Sequence, residues 1–310
     1  MTGYILDASG NEYRLPTLLS WSVEHTDGRA ADSFSVSFLF SPGMEPTLHQ
    51  ACRFRADHGG TVFYGVIDEY TVEISGAGMT AELFGRGMGA LLLDNQCEAT
   101  AYVSCSLEDL LRRFVTPLGI KAARCDVMPR LSGFAIASGS SVYGALTDFC
   151  GRAAGIRPRF DRAGGLLLTK QTGQTFRLSG EKASCLRLTD KRYGVISSVT
   201  VKTVDGARST VKNSELLTRG GSCARVVNVP RTTGCETMTY TGKYQIDKSR
   251  EGSFVIEVTL AELFAAFAGD VVQADLQRLG VSGTFRVIRS RSWANGQTAG
   301  TRLWLERAEV

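Results

Sequence analysis

Residue types able to do chemistry are scattered thinly along this chain. Gly85-Arg86-Gly87-Met88-Gly89 has the glycine density of a phosphate-binding loop, where backbone N–H groups approach an anion at a helix N-terminus. Its spacing is G-x-G-x-G rather than G-x-G-x-x-G, no Walker lysine follows, and the strand before it belongs to an antiparallel run. The nucleotide fingerprint needs a βαβ setting, so a tight turn leaving a barrel accounts for the motif better. His49, Cys52, Asp57 and His58 include ligand types that suit zinc, but a structural zinc site needs four convergent ligands at recurrent spacing. All three histidines (His25, His49 and His58) lie in the first third, in segments that read as loops or strand ends, and no G-x-S-x-G elbow supplies a nucleophile. A glycosidase needs two facing carboxylates, whereas the neighbours in Asp68-Glu69 and Glu108-Asp109 diverge on a strand or a helix and read as solvated surface. The sequence therefore assigns no catalytic residue, no metal and no cofactor.

Two features suit contacts with other proteins instead. Arg286, Arg289, Arg291 and Arg302 fall on the last predicted hairpin, and Arg112-Arg113 on the first predicted helix. Lys+Arg 35 against Asp+Glu 31 gives a net charge of only +4, so such a patch is expected to meet acidic residues of a protein partner rather than nucleic acid. The run from Leu260 to Ala268 is the most apolar of the chain and reads as core or as a buried subunit contact. Leu263, Phe264, Phe267, Arg286 and Arg289 are the candidate interface residues.

The elements that must position these residues are mostly strands. Ser33 to Phe40 alternates strictly, with Phe34, Val36, Phe38 and Phe40 on one face and serines on the other. Hairpins are predicted at Cys52–Ala56 and Thr61–Ile67 around Asp57-His58-Gly59-Gly60, and at Tyr70–Ile74 and Met79–Phe84 around residues 75–78. Near Asp94 the pattern becomes helical. Leu107, Leu110, Leu111, Phe114 and Val115 share one helix face, with Ser106 as N-cap, Asp109 as the capping-box acid and Pro117 and Gly119 as the stop. Val142, Ala145, Leu146, Phe149 and Cys150 repeat that spacing between Ser140 or Ser141 and Gly155, which is either a duplication or the helix period itself. A hairpin about Ala163-Gly164-Gly165 follows. The β pattern returns from about Cys185 through Val195–Val204, Phe254–Leu260, Thr284–Ser290 and Thr301–Glu306. Residues 205–244 are polar and show no long periodic element, so they read as a loop or an arm.

The expected fold is mainly β with an α+β insert: two antiparallel split barrels and a small α/β domain. The expected boundaries are 1–94 for the first barrel, 95–180 for the insert, and 181–310 for the second barrel with an arm around 205–245. Composition fits: 43% hydrophobic and 21% charged residues are ordinary for a globular chain, and 34 glycines, about 11% against a usual ~7%, punctuate short elements. No apolar run reaches the ~18–20 residues of a membrane span, and residues 1–7 lack a signal-peptide pattern, which predicts synthesis and folding in a cytosol. The eight cysteines contain no C-x-x-C pair and read as reduced, mostly buried thiols.

With these elements in place the sequence resembles the baseplate hub proteins of contractile phage tails and phage-tail-like particles. Val62-Phe63-Tyr64-Gly65-Val66-Ile67-Asp68 matches the family's F-x-G-x-I-D strand, Gly85-Arg86 its G-R, and Leu92-Leu93-Asp94 its L-x-D. Ser138 to Leu146, followed by Asp161…Gly164-Gly165-Leu166-Leu167-Leu168-Thr169-Lys170, resembles its S-G-x-S-V-x-x-A-L…D-x-x-G-x-L-x-L-T-K segment. Gly269-Asp270-Val271-Val272 resembles the G-D-x-V that opens a strand of the second barrel. The resemblance implies a non-enzymatic structural subunit with two tube-like barrels per chain. It further implies a homotrimer forming a pseudo-sixfold ring between the sixfold tail tube and the threefold central spike. The implied partners are further copies of itself, the tail tube protein, the spike protein and other baseplate proteins, with no membrane and no sequence-specific nucleic acid. A tail-associated cell-wall hydrolase and a spike component of the same machine are the rival readings.

Overall fold

The computed structural model describes residues 1–308 except 28–31, 77, 171–172, 230 and 232–234. The first barrel contains β1 (Thr2–Asp7), β2 (Glu12–Arg14), β3 (Leu18–Thr26), β4 (Ser33–Leu39), the short helix α1 (Glu45–Gln50), β5 (Ala51–Asp57), β6 (Thr61–Ser75) and β7 (Gly78–Gly87). These strands lie in the order β3-β4-β7-β6-β5-β1-β2. The alternation of β4 sends Phe34, Val36 and Phe38 inward, where they meet Phe54, Phe63, Ile5 and Leu83. Phe34 and Phe54 stack with centroids 4.2 Å apart, and burying such aromatic surface is the main stabilising term of a small barrel. The expected β5–β6 hairpin is present, with Gly59 and Gly60 at positive φ in its turn. Of the second expected hairpin, Ala77 lies outside the described residues. The two strands predicted at 61–67 and 70–74 are one: a register shift between Ile67 and Glu69 lets β6 run on past the barrel wall.

The glycines of the G-R-G motif do not form a turn. Gly85 and Gly87 lie inside β7, and a Cβ on Gly85 would sit 2.0 Å from the Val66 carbonyl oxygen and 2.6 Å from the Phe34 ring. Close approach of strand β6 and an aromatic ring, rather than an anion, explains the missing side chain.

The insert begins with α2 (Gly89–Asp94), β8 (Thr100–Cys105), α3 (Leu107–Leu110), β9 (Ala122–Cys125) and β10 (Leu131–Ile136). It continues with α4 (Val142–Ala154), β11 (Arg159–Phe160) and β12 (Leu166–Leu168). Ser106 and Asp109 form the expected capping box; the helix then widens into a π turn over Leu111–Val115, tightens at Thr116–Leu118 and stops at Gly119 in the left-handed conformation. Ser141 caps α4 by accepting from the Gly144 N–H, and Val142, Ala145, Leu146, Phe149 and Cys150 are its buried face. Ala90 and Leu92 of α2 pack into this core together with Val66 and Met88 of the first barrel.

The second barrel is built from β13 (Thr175–Ser179), β14 (Ala183–Asp190), β18 (Phe254–Leu260), β19 (Val271–Leu276), β20 (Val281–Ala294) and β21 (Ala299–Arg307). Pairing of β13 with β19 places residues 175–179 in this barrel rather than in the insert. Between β14 and β18 lies a layer of β15 (Ser198–Thr203), β16 (Arg208–Lys212), α5 (Ser214–Thr218), β17 (Ala224–Val229) and α6 (Cys235–Arg250). The sheet order is β16-β15-β17, and Val199, Val201, Met238 and Ile246 form its core. This corrects the reading of 205–245 as a loop or arm. The polar helix α6 buries only a narrow stripe, and β16 and β17 are too short to register as periodic elements. The eight cysteines are free, but only Cys97, Cys105 and Cys150 are buried; Cys125, Cys185 and Cys235 are exposed, which corrects the expectation of mostly buried thiols. Burial pushes the Cys150 thiol up to about 12.

The two barrels repeat one topology within one continuous sheet. The order β3-β4-β7-β6-β5 recurs as β14-β18-β21-β20-β19, with β20 also pairing with β3. The irregularities recur as well: β6 shifts register at Ile67/Glu69 and β20 at Val287/Arg289, while β3 shifts at Leu18/Ser20 and β14 at Ala183/Cys185. Buried Phe34, Val36 and Phe38 correspond to buried Ile256, Val258 and Leu260. The repeat breaks at the first strand, since β1 is antiparallel to β5 whereas β13 is parallel to β19.

Two substitutions test this packing. Phe34→Ala lowers stability by about 3–5 kcal/mol, read as a shift of the urea midpoint. Gly85→Ala is strongly destabilising, whereas Gly76→Ala, with no heavy atom within 4 Å of its added Cβ, leaves the melting temperature close to that of the parent chain.

Candidate functional site: the seam between the barrels

Among the described residues no three His, Cys, Asp or Glu side chains converge as a metal site. His49 lies in α1, Cys52 in β5 and His58 in the β5–β6 turn. His25 is a buried structural group: Nδ1 is 3.0 Å from Asp32 Oδ2 and Nε2 is 3.0 Å from the Val62 carbonyl oxygen. The carboxylates considered for hydrolysis are occupied or exposed. Arg86 donates to both oxygens of Asp68 (2.7 and 3.0 Å) and to both of Asp94 (3.0 and 2.7 Å), tying β7 to β6 and to the end of α2. This fork holds the Asp94 carboxyl below the usual carboxylate range. Asp109 is held down by its hydrogen bonds to Ser106 at the helix cap, and Glu69 and Glu108 face solvent.

The constellation that the fold does assemble is the β3–β20 seam. Arg289 to Ala294 pair antiparallel with Thr26 to Trp21, joining residues 265 positions apart in sequence. Arg289 Nη2 donates to Glu24 Oε2 at 2.7 Å, and its guanidinium lies 4.4 Å over the Trp304 ring. Arg286 Nε is 2.5 Å from Asp27 Oδ2, and Arg291 donates to Ser22 Oγ at 2.9 Å. Arg286 and Arg289 thus have acidic partners in the same chain, across the seam. They strengthen a pairing that the backbone already makes.

The apolar run forms the loop 261–270 behind this seam. Phe264 is half-buried, with its N–H donating to Thr301 Oγ1 at 2.9 Å and its ring 5.8 Å from Phe176. Phe267 meets the edge of His25 at 5.5 Å and carries the Arg162 guanidinium at 4.1 Å. Leu263 is the exposed member, 42% accessible. Phe267, Leu263, Trp21 and Arg162 line a cleft of about 230 Å³.

The sequence marked Asp270 only as part of a G-D-x-V strand entry and missed its role in holding this loop. Asp270 is buried; its Oδ1 accepts from the Gln174 N–H at 2.8 Å and its Oδ2 from the Phe267 N–H at 3.0 Å. Burial pushes its carboxyl up, opposed by those two donors and by the Arg162 and Arg159 charges from the insert hairpin. The glycines beside it are fixed by the same crowding: a Cβ on Gly173 would sit 1.9 Å from Asp270 Oδ1, and one on Gly269, at φ +93°, 2.3 Å from Arg159 Nη1. The available signal was a single acid closing the most apolar run. Asp270→Ala removes the side-chain acceptor of the part-buried Gln174 and Phe267 N–H groups and costs about 1–3 kcal/mol. Hydrogen exchange at Gln174 and Phe267 is expected to rise well before the barrel amides are affected.

No family model matches the chain, and no curated protein does. Solved structures do. The tail protein from Neisseria meningitidis MC58 superposes with a TM-score of 0.76 at 16% identity, over 98% of this chain and 95% of that one. The 43 kDa tail protein of prophage MuSo2 from Shewanella oneidensis gives 0.79 at 16% identity, over 99% and 98%. An E. coli component of the type VI secretion system, described as structurally similar to the T4 bacteriophage tail proteins gp27 and gp5, gives 0.55 at 8% identity, over 94% and 74%. At such identities the likeness establishes architecture, and it bears out the mainly β fold with an α+β insert: this chain has the fold of phage tail proteins.

Proposed function

We propose that the chain is a structural hub subunit of a contractile tail or phage-tail-like particle, assembling as a homotrimeric ring between tail tube and central spike. One observation carries the reading: each chain supplies two barrels of the same strand order, welded edge to edge through β3 and β20. Three such chains present six barrels on one rim while remaining threefold overall, which is the geometry required of an adaptor between a sixfold tube and a threefold spike. The named relatives are tail proteins, and one is a secretion-system component likened to tail proteins; both facts support assembly with other baseplate proteins in the particle.

The occupied carboxylates argue against the hydrolase reading. Asp68 shares the Arg86 guanidinium with Asp94 and Asp109 serves a helix cap, so these three must break a structural contact before activating water, while Glu69 and Glu108 stand on exposed surface. The proposal needs a large, well-packed subunit contact rather than a tuned catalytic group.

The purified chain, alone or mixed with tube and spike subunits, is expected to elute in light scattering at three times its 33.5 kDa mass. Averaged particle images are expected to show threefold rings with six lobes. A monomer that never enters particles and degrades peptidoglycan would overturn the proposal.

A further inference from the structure

We infer that copies of this chain join by strand addition, the free edge of β14 in one copy pairing antiparallel with the outer half of β6 in the next. The inference rests on the ring reading above and names the contact that closes the ring.

Within one chain, the strand pair β3 and β20 joins first barrel to second. By the repeated order and the repeated register shifts, β14 is the counterpart of β3, and β6 the counterpart of β20. Both counterparts lack the neighbour that β3 and β20 find in each other. Among the described residues, β14 pairs only with β18, and β6 beyond Ile67 pairs only with β7. Each is an open edge of unpaired backbone donors and acceptors, a state that folded proteins normally cover or blunt. The covering occupant is a second copy, because the seam inside the chain already shows how these two edge types fit.

The register follows from the same correspondence. Ser290 faces His25 and Ser292 faces Val23 in the internal seam. Carried over, Tyr70 faces Asp190 and Val72 faces Leu188, and the remaining pairs are then Glu69 with Lys191, Thr71 with Thr189, Glu73 with Arg187, and Ile74 with Leu186. The register was carried over from the backbone alone, yet both glutamates of β6 meet cations, Val72 and Ile74 meet Leu188 and Leu186, and the threonines coincide, while Asp190, already bridged to Arg219, faces Tyr70. Ile74, 72% exposed in the single chain, gains an apolar neighbour. The charge polarity is also reversed between the two seams. Inside the chain β3 carries Glu24 and β20 carries Arg289 and Arg291, whereas between chains β6 carries Glu69 and Glu73, and the edge of β14 carries Arg187, with Asp190 at its end and Lys191 just beyond. Strands β3 and β20 are already joined within each chain, so the contact between chains falls to β6 and β14, and the barrels alternate around a head-to-tail ring.

The test uses the full chain, with tube and spike subunits present if assembly needs them. Glu73→Arg alone and Arg187→Glu alone are each expected to weaken association by roughly tenfold or more, and the double reversal to restore it. Both positions are exposed, so unchanged melting of the single variants separates assembly from folding. A photo-crosslinking residue in place of Val72 is expected to capture residues 186–190 of another copy. A threefold assembly that crosslinks elsewhere and ignores the charge reversals overturns this inference and leaves the ring reading standing. A chain that stays monomeric with every partner present overturns both.

Discussion

Everything in this molecule hangs on a backbone requirement: the outer half of β20 must find hydrogen-bond partners, and β3 provides them from the other end of the sequence. Without that pairing there would be two barrels on a tether, free to adopt any relative angle. With it the barrels become one sheet, and the angle between them is set by strand twist and register, which are stiff. The insert then fills the space beside the joined barrels. Its β11–β12 hairpin sets Gly164 against Met88 and Tyr64 of the first half, while Arg159 and Arg162 reach the loop of the second. Three units are held by one seam and one polar node.

That node, Asp270, shows how a buried charge can organise without stabilising much. Burial opposes its ionisation, and two backbone donors plus two arginines offset the penalty. What it fixes is direction: the loop 261–270 must return to the barrel at a defined point, so that Phe264 and Phe267 land against Phe176 and His25. The arginines of the last hairpin act in a similar way. Read from sequence they look like a patch awaiting a partner; in the fold they hold Glu24 and Asp27 across the seam.

Local patterns in the sequence translated directly where the physics was local. The alternation of β4, the capping box at Ser106 and Asp109, and the helix face from Val142 to Cys150 each depend on neighbours a few residues away. The parts that stayed hidden are long-range. Gly85 looks like loop punctuation because the Phe34 ring that forbids its side chain lies on another strand. β15 to β17 and α6 are individually weak and become a layer only by packing on each other. The barrel repeat has no counterpart as a sequence repeat: Phe34, Val36 and Phe38 against Ile256, Val258 and Leu260 conserve burial and not identity, so only strand order and bulge positions reveal it. The seam was the least legible feature, since nothing near Arg289 points to Glu24.

The separation of β3 from β20 also has a consequence in time. The first barrel is complete once residue 87 has been made, but β20 ends at residue 294, so β3 waits for its partner while some two hundred residues are added. At ~5–20 residues per second that is roughly 10–40 s during which a formed sheet edge is bare in a crowded cell. Ser20, Ser22 and Glu24, which alternate along that edge with Asp27 just beyond, keep it polar and charged through the interval. A strand whose partner comes some two hundred residues later has been kept safe to leave open.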